Sequence, residues 1–99
     1  MSDKYILVDR KPVPATLMEW AKWFESGDKA RRVALTEFDR GNVSTVFLGI
    51  DHRFGGDGEP ILFETMIFGG PHDQYQERYC TWDEAEAGHA KAVALATGA

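Results

Sequence analysis

VSTVFLGIDHRFGGDGEPILFETMIF, residues 43–68, holds two apolar runs around a charged, glycine-rich interval. VSTVFLGI (43–50) and PILFETMIF (60–68) are rich in β-branched and aromatic residues. Each is too short for a typical helix and reads as a strand. The residues upstream extend the pattern: RRVALTEFD (31–39) favours a strand, and DRGN (39–42) is a tight turn. Downstream, GGPHDQYQ (69–76) reads as a loop and ERYCT (77–81) as a fourth strand. Consecutive strands on short connections predict an antiparallel meander.

Helical signals flank the meander. In TLMEWAKWFESG, Thr16 and Glu19 have capping-box spacing, each side chain satisfying a backbone donor at the helix start. Leu17, Trp20, Ala21 and Phe24 then form one apolar stripe, and Gly27 is placed to end the helix, predicted over 17–26. TWDE (81–84) is a second capping box, with Asp83, Glu84 and Glu86 near the positive end of the helix dipole. Trp82, Ala85, His89, Ala92, Val93 and Ala96 trace its apolar face, and the helix is expected to end near Thr97-Gly98. At the N-terminus, YILV (5–8) predicts a short strand and DRKPVP (9–14) a turn, because Pro12 and Pro14 cannot donate to a central ladder. The expected fold class is α+β: a single domain over 1–99, with an antiparallel meander of about four strands, two helices packed on it and a short N-terminal strand.

Composition narrows the function classes. An apolar content of 43% supports a folded core. No apolar run is long enough to span a bilayer, and the N-terminus lacks the pattern of a secretory signal, so no membrane association is expected. The lone cysteine, Cys80, cannot form an internal disulfide, which suits a reducing cytoplasm. The net charge is −5, with 3 Lys/Arg against 9 Asp/Glu in residues 51–99. That balance disfavours nucleic acid, whose phosphates need basic contacts. The basic cluster DKARR (28–32) reads as a solvated loop.

The interval DHRFGGDGEP (51–60) is the strongest candidate site. It exceeds a minimal hairpin turn, and long loops in compact domains are often functional. Arg53 offers a guanidinium fork, His52 an imidazole and Phe54 an aromatic plate, equipment for gripping a planar or anionic group. Asp51 adjoins them, and the glycines allow close backbone approach. The plainer reading is that the glycines serve an irregular turn and Phe54 tucks beneath it. Glu64 is the next candidate: it shares a strand face with Leu62, Met66 and Phe68, where a carboxylate needs a partner. Arg53, His89, Arg78 and the capped helix start are the options. His89, on an apolar helix face, reads first as a core histidine satisfied by hydrogen bonding.

Catalytic and metal signals are weak. His52 and His72 each adjoin an aspartate, yet hairpin pairing separates them by roughly 25 Å at ~3.3 Å per residue, too far to share an ion. HExxH, CxxC, GxSxG and phosphate-loop patterns are absent. Cys80 lies in a predicted strand with no orienting group in sequence. No catalytic residue, metal site or cofactor is therefore assigned.

Three stretches together, STVFLGIDHRFG (44–55), LFETMIFGG (62–70) and RYCTWDEAEAGHA (78–90), resemble a group of small tailed-bacteriophage and prophage proteins of unknown function. The resemblance covers most of the chain beyond the N-terminal turn. It implies action in the cytoplasm of an infected bacterium, and carries no activity to transfer. By analogy of origin, the expected role is an accessory binding protein that inhibits a host defence or regulatory component. It would contact a host protein or sequester a small, anionic, nucleotide-like ligand, and homodimerisation would help either. The alternative is a small enzyme using His52, Glu64 and His89 as acid–base residues. A structural virion part is a third reading.

Overall fold

The computed structural model describes residues 3–53 and 58–98. The fold is α+β. Four strands form an antiparallel meander in sequential order: β3 (Arg32–Phe38), β4 (Gly41–Phe47), β5 (Phe63–Phe68) and β6 (Gln76–Tyr79). A separate hairpin pairs β1 (Tyr5–Val8) with β2 (Lys11–Pro14). The helices are α1 (Leu17–Glu25) and α2 (Trp82–Thr97), and a single 3-10 turn spans Asp28–Ala30.

The strand β2 corrects the reading of DRKPVP as a turn. The turn proper is Asp9-Arg10, both at positive φ, the geometry of a two-residue hairpin. Val8 then faces Lys11, and Leu7 faces Pro12. Hydrogen-bonded pairs alternate along an antiparallel ladder, and Ala15 N donates to Lys4 O at 2.9 Å. Counting back from that bond, Pro12 and Pro14 fall at the non-bonded pairs. Their missing N–H groups point away from β1, so the ladder loses nothing.

The strand pairing sorts side chains onto two faces. Val43, Thr45 and Phe47 face Ile67, Thr65 and Phe63 across β4 and β5, and all six are fully buried. The helix α2 lies across this inner face, contributing Ala85, Gly88, His89 and Ala92. Small residues let it approach closely. At Gly88 a Cβ would stand 2.0 Å from the Tyr79 phenol oxygen, so the ring of Tyr79 occupies the space that a side chain would take. Phe47, Leu62, Phe63 and Ala85 form one core cluster; Val43, Ile67 and Ala92 form a second. Burying a phenylalanine contributes roughly 1.5–3 kcal/mol, against about 1 kcal/mol for a helix cap. Packing therefore holds α2 in place more than its capping box does.

Both predicted capping boxes are present. The helix α1 nevertheless docks differently from its expected stripe: Leu17 is 62% exposed, and Trp20, Trp23 and Phe24 make the contacts. Trp23 meets Phe47 edge-on at 5.5 Å, and Trp20 Nε1 donates to Gly49 O at 3.0 Å. The chain reaches the sheet through the C-terminal half of α1 because that half lies beside the end of β4. Gly49, at φ +77, has the Phe24 ring against it. No helix among the described residues is long and apolar enough to cross a membrane.

Candidate functional site

The connection from β4 to β5 runs from residue 48 to 62, longer than the two apolar runs suggest. The ladder stops at Phe47 because Gly49 turns the chain at positive φ. The next residues pair with the N-terminal segment instead: Lys4 bridges Ile50, Tyr5 N donates to Gly49 O at 2.8 Å, and Asp51 N to Asp3 O at 2.9 Å. On the return, His52 N donates to Ile61 O at 3.0 Å. The same departure from the ladder buries both Leu62 and Phe63, so Leu62 does not share the Glu64 face as alternation predicted.

Asp51 organises this connection. One carboxylate oxygen accepts from Arg53 N at 2.8 Å and Ile61 N at 3.0 Å. The other lies 3.3 Å from the Arg53 guanidinium. Burial opposes the charge on Asp51, but these donors and the nearby Arg53 and His52 outweigh it and hold the carboxyl below its usual range. Arg53 also donates to the Gly58 carbonyl. Its fork thus braces the loop as well as facing solvent. His52 Nδ1 is 2.8 Å from Ile50 O, so that nitrogen carries the proton and Nε2 is left as an acceptor when the ring is neutral. Phe54 lies outside the described residues.

Glu64 and His89 stand on opposite faces of the sheet. Glu64 points outward, where it accepts from Arg78 Nε at 2.9 Å and from Gln76 Nε2. Of the four partners open in the sequence, Arg78 is the one observed, directly opposite Glu64 in the strand register. His89 points inward, 7% exposed. Thr36 Oγ1 lies 2.8 Å from its Nε2, and Thr45 Oγ1 lies 2.7 Å from its Nδ1. Thr45 Oγ1 is also 2.5 Å from Thr65 Oγ1. Rotating hydroxyls can satisfy either neutral tautomer, and burial lowers the ring's pKa below its ordinary value. The threonine partners were signalled by alternation: Thr45 stands between Val43 and Phe47 on the inner face.

The loop residues Asp51, His52 and Arg53 are therefore together, whereas Glu64 and His89 belong neither with them nor with each other. Cys80 sits beside the loop, its Sγ 3.7 Å from Glu59 O. Burial pushes its thiol pKa up, and the Glu84, Glu59 and Asp51 carboxylates push the same way, the opposite of an activated nucleophile. His72 and Asp73 lie in the β5–β6 turn, where Asp73 accepts from Gly69 N at 2.7 Å. Among the described residues, no three His, Cys, Asp or Glu side chains gather around a point that would suit a metal ion.

Comparison with protein-family models, curated proteins and solved structures finds no match.

Proposed function

We propose that the protein is a bacteriophage accessory factor that works by binding inside the infected bacterium. It inhibits a host defence or regulatory component, by contact with a host protein or by sequestering a small nucleotide-like ligand. The observation that carries this reading is the braced loop. Asp51 ties both sides of the 48–62 connection at its base and orients Arg53. Polar groups held by a rigid scaffold are the usual build of a recognition surface. The separation of His52, Glu64 and His89 favours binding over acid–base turnover, which needs convergent groups.

Native mass spectrometry after incubation in bacterial lysate tests the proposal. A small added mass is expected for ligand capture and a large one for a host protein. Arg53→Ala should lose the added mass with little change in melting temperature, since Asp51 keeps its two backbone donors and the lost ion pair, partly open to water, contributes about 1 kcal/mol. A variant that keeps the full bound mass sinks the loop as the contact. Bare mass for the unaltered protein sinks the binding role.

A further inference from the structure

The outer face of the meander has a charge pattern that matches itself. The register sets its side chains in rows across the strands. Arg32, Val46, Glu64 and Arg78 form one row; Leu35, Ser44, Met66 and Gln76 form the next. Glu37, Asn42 and Phe68 form the third. No helix covers these rows among the described residues: α2 lies on the inner face and α1 packs beside β1. Leu35 and Phe68 are 42% and 40% exposed. Arg32 and Glu37 stand at opposite ends of β3 with Leu35 between them, and neither has an ion-pair partner among the described residues.

We propose that this face docks on the same face of a second copy of the chain. The two-fold axis lies in the interface, perpendicular to the strands. That operator reverses strand direction and keeps strand order. It sets Arg32 over Glu37 of the second copy, Glu37 over Arg32, and Leu35 over Leu35. An axis parallel to the strands would instead place β3 over β6 and Arg32 over Arg78, like charge on like, so the charges select one arrangement. Glu64 already holds Arg78 and Gln76, so covering it strands no bare carboxylate. A cleft of about 350 Å³, lined by Arg31, Arg32, Ser44, Val46, Phe47 and Leu48, receives the Glu37 side chain. Aligned sheet packing of this kind is a common geometry.

Strand spacing of ~4.8 Å and side-chain rows ~7 Å apart give a face on the order of 300–400 Å² per copy. A standard interface takes about 800 Å² per partner. The dimer is therefore weak and concentration-dependent. It does not depend on the binding role of the 51–60 loop.

Sedimentation velocity across a wide concentration range tests it. The average mass should rise with concentration from the 11.1 kDa monomer towards twice that value. Arg32→Glu and Glu37→Arg should each weaken association by on the order of tenfold or more, because each swap acts at both symmetry-related pairs. The double variant should restore it, since the reversed charges meet across the axis. An intrachain pair cannot explain that rescue, as the two residues stand at opposite ends of β3. Circular dichroism verifies the fold of each variant. A wild type that stays monomeric, single swaps without effect, or a double variant that stays dissociated would each overturn the proposal.

Discussion

The two faces of the meander each carry a polar cluster, and they solve the same problem by different chemistry. Inside, His89 and three threonines satisfy one another without a formal charge. Outside, Glu64, Arg78 and Gln76 use charge, within reach of water. A neutral network tolerates a low-dielectric core because no ion loses its hydration. An ion pair placed there would lose more in desolvation than it gained in attraction. Where a polar group sits thus decides whether it fixes the fold or only decorates it.

The largest expected difference comes from removing a hydroxyl on each face. Thr45→Val leaves both His89 Nδ1 and Thr65 Oγ1 short of a partner in the core, and should cost about 1–3 kcal/mol. Ser44→Ala, one residue away on the outer face, should change stability by less than about 0.5 kcal/mol. Urea denaturation of both variants measures the contrast, and equal losses would break it.

The second difference is in pH. Burial lowers the folded-state pKa of His89 below its ordinary 6.5. The unfolded chain therefore takes up that proton first as pH falls. Stability should hold above about 6.5 and decline as pH drops from there through the lowered folded value. Thermal unfolding between neutral and mildly acid pH should show this decline, and His89→Gln should flatten it. A slope unchanged in that variant would mean that another group carries it.

The smallest effect is expected outside. Glu64→Gln keeps an acceptor for Gln76 and loses only the charge opposite Arg78, in a pair partly open to water. The cost should be about 0.2–1 kcal/mol and shrink further in high salt. Dilute protein, where self-association is negligible, is the right sample for that titration.

Much of this architecture is legible in the chain. Two capping boxes and the DRGN turn fix α1, α2 and the β3–β4 hairpin, and the apolar runs place β4 and β5. The strand β2 escapes because prolines argue against a ladder, while the hairpin register that excuses them depends on a turn at Asp9-Arg10. The inward role of His89 is legible from helix periodicity, and alternation puts Thr45 on the inner face; that Thr36 on β3 and Thr45 on β4 both meet the ring emerges only with the register. Glu64 names its need for a partner but not its face, since the apolar residues around it lie on both sides of the strand. The loop cluster of Asp51, His52 and Arg53 is contiguous in sequence, yet the carboxylate as organiser appears only once Ile61 returns beside it.

The helix α2 follows all four meander strands in the chain, and its small residues pack across their inner face. During synthesis the strands leave the ribosome before their cover exists. Until residues 82–97 follow, Val43 and Ile67 lack Ala92, and Phe63 lacks Ala85 and Trp82. The N-terminal hairpin likewise waits for partners nearly half the chain away at Gly49 and Ile50. Folding is thus committed late. A chain interrupted before α2 would present an apolar sheet face missing its helix, with open edges, a ready substrate for chaperones and proteases.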